Sequence, residues 1–183
     1  MSTAIEIASR HAPRLGIQIC HELDPRRLEP EERIRDLCAE DRCDCYGKHH
    51  LCPPLVGTLE QAREQLAGFR SGVLLQWSRA LDVRQDRPGV ERSKVDFHLL
   101  VLELEGALAD EGVAPVWGLI GGSCGLCTPC AAAVGEPCPE PDRARPSLEA
   151  LGIDVMALLA KFGLDNRFHT DRITWTGCVL FGQ

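Results

Sequence analysis

The sequence carries four cysteines within fifteen residues, in the segment GGSCGLCTPCAAAVGEPC. Cys124, Cys127 and Cys130 are separated by two residues each, and Cys138 follows after seven more and precedes Pro139. Thiolate is the ligand that iron–sulfur clusters and structural zinc ions share. Four thiols on one loop that contains glycine and proline therefore predict a metal or cluster site.

The spacing of the first three cysteines favours a 4Fe–4S cluster over zinc. Bacterial ferredoxins use a C-x2-C-x2-C run and a further cysteine followed by proline, which serves a second cluster. Here the last gap is seven residues, so we predict one local cluster held by Cys124, Cys127, Cys130 and Cys138. Zinc remains the alternative, although its structural sites usually join two C-x2-C knuckles through a longer spacer. The glycines of GLIGGS, before Cys124, are expected to let backbone N–H groups approach the cluster sulfurs.

A second group of four cysteines lies in CAEDRCDCYGKHHLCPP, again within fifteen residues: Cys38, Cys43, Cys45 and Cys52. Four thiols could hold a second cluster or zinc, and three could hold a cluster with one iron open to a small ligand. A thiol-rich loop without a metal is the structural alternative, because the spacing is irregular. His49 and His50 are expected to be solvated or to lie just outside the ligand set, although either could bind zinc.

Composition limits the classes of function. The net charge of −7 and the isoelectric point of 5.4 argue against nucleic-acid binding, so Arg143 and Arg145 are interpreted as solvated surface side chains. No apolar run is long enough to span a membrane, and the first residues lack a secretory pattern. We therefore expect a cytoplasmic protein, in which ten cysteines serve as ligands or redox groups rather than disulfides. Cys20 and Cys178 are expected to be buried as small apolar residues.

The elements around the first cysteine group follow from local patterns. IEIASR and GIQIC alternate weakly and predict two short strands near the N-terminus. LEPEERIRDLC predicts a helix with Pro30 in its first turn, which leads into the first group of cysteines. After that group, Thr58 and Gln61 have capping-box spacing at the start of a further helix. GVLLQW is an apolar run suited to a buried strand.

The second half of the chain predicts a crossover unit. After a loop at LDVRQDRPG, the segment KVDFHLLVLELEGALADEG predicts a long helix that Ser93 caps, with His98 as a core or surface residue. APVWGLIG then predicts a strand that delivers the chain to the second cysteine group. Asp154 caps a short helix, and RITWTGCVLF predicts a last strand. We predict an α/β fold over one domain, residues 1–183: a small mixed sheet with a βαβ crossover of two parallel strands, packed helices and two cysteine-rich loops that meet on one side.

Two blocks resemble the bacterial and archaeal cysteine-rich family described as predicted metal-binding proteins, a domain of unknown function. The first block contains Cys38, Cys43, the YG pair and the CPP at Cys52. The second contains GGSCGLCTPC and GEPCPEPDRARPSLEALGIDV, and the likeness covers most of the chain from about Glu31 onward. The resemblance implies metal binding, with an iron–sulfur cluster on the four cysteines of the second block. Cys45 is an extra thiol relative to the first block.

These observations support three hypotheses for the function. The first is a small electron-transfer protein whose acidic surface docks a redox partner protein. The second is a cluster-dependent enzyme with an open iron, or with a free thiolate such as Cys45 acting as a nucleophile beside a cavity between the two loops. The third is a zinc-binding structural or sensing module. The sequence determines neither the reaction nor the oligomeric state.

Overall fold

A four-stranded sheet forms the centre of the protein in a computed structural model that describes residues 2–182. Its strands are β1 (Ile19–Leu23), β2 (Ser71–Ala80), β3 (Val116–Leu119) and β4 (Arg172–Phe181), in the spatial order β1-β2-β4-β3. Five α-helices surround the sheet: α1 (Ala4–His11), α2 (Glu32–Ala39), α3 (Leu59–Ala67), α4 (Arg87–Asp110) and α5 (Val155–Lys161). Short 3-10 turns lie at Ala12–Leu15, Pro25–Arg27, Ala131–Val134 and Glu149–Leu151. The predicted α/β class is confirmed.

The crossover is present, but the sheet is antiparallel rather than mixed. β2 and β3 each pair antiparallel with β4, which lies between them, so they run in the same direction without touching. β1 also pairs antiparallel with β2. The sequence pattern predicts that the two crossover strands run in the same direction. It does not predict that β4 lies between them, because β4 comes from the far end of the chain.

Three local predictions were wrong. Pro30 precedes α2 and does not lie in its first turn, because this helix begins at Glu32. IEIASR lies in helix α1, because the side chains and backbones of Thr3 and Glu6 cap its first turn reciprocally. Helix α4 begins at Arg87, six residues before the predicted cap, since the Asp86 carboxylate accepts a hydrogen bond from the Gly89 N–H. Ser93 is buried within this helix, where its hydroxyl accepts a hydrogen bond from the indole N–H of Trp175.

Both faces of the sheet are covered. On β2, Val73 and Leu75 face the core under α1 and α4, whereas Leu74 faces the core that contains α3 and α5. On β4, Val179 points to the first core and Cys178 to the second, and all five of these residues are fully buried. The strict alternation places the sheet between two layers of helices, with the cysteine loops connecting elements of these layers.

The buried thiol of Cys178 is expected to make the protein less stable at alkaline pH. Burial raises the pKa of this thiol above its ordinary value of 9.0, so the folded chain keeps the proton where the unfolded chain loses it. Stability from this group is complete below about pH 9 and falls by about 1.4 kcal/mol per pH unit above it. Urea denaturation of the reduced protein between pH 8 and pH 10.5 measures the slope. The Cys178→Ala variant is expected to show a shallower fall, and equal slopes would contradict this assignment.

Candidate metal centre

The N-terminal cysteine loop, residues 38–54, connects α2 to α3 and is folded by successive hydrogen-bonded turns. The backbone N–H of Asp41 donates to the Cys38 carbonyl at 3.1 Å, and that of Cys52 donates to the His49 carbonyl at 3.1 Å. Asp41 and Asp44 take positive φ angles of 50° and 55°, which reverse the chain on either side of Cys43. The backbone turns therefore fold the loop back on itself and gather its thiols.

The structure brings all four thiols of this loop together. Cys52 is 8 % exposed, and its pKa is raised to about 12 by burial first, and then by the neighbouring thiols of Cys45, Cys43 and Cys38. Cys45 is 6 % exposed, Cys38 is half-buried and Cys43 is exposed. Cys45, the extra thiol relative to the first block, is thus one of the two buried thiols of this loop, and its Sγ donates to the Cys43 carbonyl at 3.2 Å.

The C-terminal cysteine loop, residues 121–139, begins directly after β3. Its base is closed where Ile120 bridges Ser147 in parallel, because the Ile120 N–H donates to the Pro146 carbonyl at 3.0 Å. The four half-buried thiols of this loop line one narrow cleft with a cavity volume of about 20 Å³; they are Cys124, Cys127, Cys130 and Cys138. The structure therefore places the four predicted cluster ligands around one common space.

The thiols of the C-terminal loop influence one another. Burial raises the pKa of Cys124, and the nearby thiols of Cys138 and Cys127 raise it further. The backbone N–H groups of Leu126 and Arg145 act in the opposite direction by donating hydrogen bonds to this sulfur. These donors, rather than the preceding glycines, are the ones that the structure directs at the Cys124 sulfur.

The two cysteine loops meet through the histidines of the N-terminal loop. The ring of His50 lies 2.9 Å from the Glu136 carbonyl through Nε2, and His49 lines the same cleft as Cys124. Burial lowers the pKa of His49, and the Lys94 ammonium lowers it further. Both rings, together with Leu51, line the cleft that holds the four thiols of the C-terminal loop. The cleft therefore lies between the two loops.

A lysine that the sequence patterns did not single out joins the two loops. Lys94 of helix α4 donates from Nζ to the Ser123 hydroxyl at 3.2 Å, and its positive charge acts to lower the pKa of the Cys45 thiol in the other loop. Gly122 has a φ of +72°, and a Cβ there would lie 3.2 Å from Cδ of Lys94. Glycine therefore suits this position for two reasons: the turn requires a positive φ, and the Lys94 side chain passes close to its Cα. The cation therefore favours the thiolate form of Cys45, and it also pairs with Glu91 of the same helix at 2.7 Å.

An ion pair with little exposure anchors the chain behind the C-terminal loop. Arg145, predicted to be solvated, instead contacts Glu105 of α4 through two parallel hydrogen bonds, each 2.9 Å long. Glu105 also accepts a hydrogen bond from the Gly118 N–H of β3. His98 is buried as expected and bonds the Arg143 carbonyl at 3.0 Å. Helix α4 therefore fixes the segment whose backbone N–H reaches Cys124.

The arrangement differs from that of a site preassembled for a single ion. Among residues 2–182, no three His, Cys, Asp or Glu side chains are placed to hold one metal ion. Zinc–sulfur bonds of about 2.3 Å would require thiolates within about 4 Å of one another. A cubane spreads its four thiolate ligands over four iron corners and so tolerates wider separations. The donor set around the cleft consists of thiols, which are the ligands that iron–sulfur clusters and structural zinc ions share.

The structure therefore defines a cysteine-rich α/β protein with two cysteine loops beside one antiparallel sheet. The chain belongs to the family described as predicted metal-binding protein (DUF2284), whose model matches residues 21–181. Searches of curated proteins and of solved structures found no match. Within residues 2–182, every helix is too short or too polar to traverse a bilayer.

Proposed function

We propose that Cys124, Cys127, Cys130 and Cys138 hold a 4Fe–4S cluster and that the protein transfers single electrons to a partner enzyme. The observation that carries this proposal is the cleft lined by all four of these thiols. When bound, the cluster supplies a one-electron redox couple. The chain contributes the ligands, two backbone N–H donors at Cys124 and the nearby Lys94 cation. Donors and cations of this kind favour the reduced, more negative state.

The exposed edge of the C-terminal loop supports transfer to a protein partner. Cys127 and Cys130 are only half-buried, so a partner surface can approach the ligands closely. Glu136 and Asp142 are exposed beside this edge, and the chain carries a net charge of −7. We therefore propose a partner with a basic docking face, for which association slows as ionic strength rises. We propose a reducing compartment such as the cytoplasm, in which thiols stay available as ligands.

Anaerobic reconstitution tests the cluster directly. Protein purified without oxygen and incubated with iron and sulfide is expected to turn brown and to bind at least about four iron and four sulfide per chain. Dithionite should bleach the visible bands reversibly and produce an electron paramagnetic resonance signal. A colourless protein that takes up zinc but no iron and sulfide would contradict the proposal and favour a zinc module.

A cluster-dependent enzyme is the second candidate, and a specific observation favours it. His49 lines the cleft, and its Nδ1 is buried with no hydrogen-bond partner among the described residues. Such a nitrogen is available to a small ligand beside the thiols. In this alternative three thiolates suffice for the cluster, and the Cys138→Ala variant should retain it. Loss of the cluster in that variant supports complete ligation by four thiolates and therefore electron transfer.

A further inference from the structure

We propose that a groove beside the C-terminal end of α3 binds a short apolar peptide whose amino and carboxyl termini are both free. The residues that line this α3 groove lie within 24–31 and 63–70. The groove has a cavity volume of about 770 Å³, which is in the range of small-molecule sites and suits a di- or tripeptide. It shares no lining residue with the cysteine cleft, so this proposal is independent of the function proposed above.

The floor of the α3 groove is apolar. Leu28 and Leu66 line it, are each 3 % exposed and belong to the core that contains α3 and α5. Phe69 also lines the groove, and its ring stacks on that of Trp117 with the ring centroids 5.8 Å apart. Aliphatic side chains of a ligand lose water-exposed surface against such a floor, which favours an apolar peptide.

Contacts within the chain hold the walls of the α3 groove in place. The Leu28 N–H donates to the Pro25 carbonyl at 3.0 Å in the turn that follows β1. From α3, Nη2 of Arg63 donates to the Pro30 carbonyl at 2.9 Å and so joins the two walls. Both prolines are buried. Because the walls are already ordered, a ligand binds without the cost of organising them.

The lining of the α3 groove carries both signs of charge in equal number. Its three guanidinium groups and three carboxylates belong to Arg26, Arg63 and Arg70, and to Asp24, Glu29 and Glu31. A purely anionic or purely cationic ligand therefore meets repulsion as well as attraction. A ligand that carries one charge of each sign can contact both kinds of group favourably.

Two of these charges are available to a ligand. The other four are ion-paired within the chain: Asp24 with Arg26, Glu31 with Arg33, and Arg63 with Glu60. Arg70 and Glu29 are exposed and form no ion pair, with each other or with any other group, among residues 2–182. Opposite charges that share one groove without pairing leave room for a carboxylate at Arg70 and an ammonium at Glu29. The free termini of a peptide supply these two groups.

Calorimetric titration of the full chain with leucyl-leucine tests the proposal. It is done at two temperatures, because apolar burial makes the binding enthalpy vary with temperature. The expected dissociation constant is on the order of 0.1–1 mM. N-acetyl-leucyl-leucine lacks the ammonium and leucyl-leucinamide lacks the carboxylate, so each is expected to bind about five-fold more weakly. Absence of leucyl-leucine binding at about 10 mM overturns the proposal, and so does equal binding of all three compounds.

Charge variants assign each terminus of the peptide to its partner. Arg70→Leu is expected to weaken leucyl-leucine binding by about five-fold and to leave leucyl-leucinamide binding unchanged, because that contact needs the carboxylate. Glu29→Gln should weaken leucyl-leucine binding similarly and leave N-acetyl-leucyl-leucine binding unchanged. Arg14→Leu, which removes an exposed arginine from the turn Ala12–Leu15, is the matched control and should bind like the wild type. If both groove variants bind leucyl-leucine as tightly as this control, the proposal is wrong.

A variant that fills the groove locates the ligand independently of charge. Ala67 is the exposed last residue of α3 and lines the groove, so Ala67→Trp adds bulk there without entering the core. It is expected to weaken binding of leucyl-leucine by at least about ten-fold, while circular dichroism verifies folding. A folded Ala67→Trp protein with wild-type affinity places the peptide elsewhere and rejects the α3 groove. Iron and sulfide content is expected to stay unchanged in all these variants, which separates this test from that of the cluster.

Discussion

Replacing Cys127 with alanine is expected to abolish cluster binding at the C-terminal cysteine loop, with about four fewer iron atoms per chain than in the wild type. Cys127 is the middle residue of the C-x2-C-x2-C run, and its thiol lines the same cleft as the other three. Burial raises the pKa of this thiol, and the nearby Cys138 thiol raises it further. Three thiolates leave one iron corner without a protein ligand.

The substitution should affect the cofactor more than the core of the protein. Cys127 is half-buried at the surface of the molecule, and neither of the two apolar cores contains it. We expect the metal-free variant to keep its circular dichroism spectrum, while the C-terminal loop becomes more sensitive to proteolysis because ligand binding no longer orders it. The Cys20→Ala variant, which removes a half-buried thiol from β1, should retain the full cluster. A Cys127→Ala protein with wild-type iron and sulfide would refute the ligand assignment.

Replacing Glu105 with alanine is expected to destabilise the protein by about 3–5 kcal/mol, because it leaves a largely buried arginine without its partner. The side chains of Arg145 and Glu105 are 17 % and 9 % exposed. The same carboxylate accepts the Gly118 N–H, so the substitution also leaves a backbone donor of β3 unpaired. Urea denaturation of the metal-free protein measures the change in the free energy of unfolding.

Two further variants distinguish the loss of the Glu105–Arg145 ion pair from the general effect of removing a carboxylate in or near α4. Glu111→Ala removes a carboxylate just beyond the end of α4 that pairs with Arg10 at the surface, and should cost about 0–1 kcal/mol. Glu105→Gln retains an oxygen for the Gly118 N–H and should lie between the two in stability. A Glu105→Ala variant no less stable than Glu111→Ala would show that the ion pair contributes little. We also expect Glu105→Ala to lose its cluster faster, because Arg145 then no longer holds its N–H at Cys124.

Much of the secondary structure follows from local patterns in the sequence. Thr58 and Gln61 form the expected capping box, Asp154 caps α5, and β4 covers the ten residues of RITWTGCVLF. These features depend on residues within one turn or one strand, so a short window contains the needed information. The errors arose where signals competed. IEIASR alternates weakly like a strand, yet the reciprocal capping of Thr3 and Glu6 starts a helix there.

The residues with the chemistry of metal ligands can be recognised in the sequence, because thiol type and spacing are local properties. The C-x2-C-x2-C run places three thiols on one short loop whatever the rest of the chain does. The groups that surround those thiols depend on the fold. Lys94 and Glu105 lie on α4, distant in sequence from Ser123 and Arg145, which they contact. Their roles depend on burial and on contacts across the fold, and no local pattern distinguishes a charge that pairs inside the protein from one that is solvated.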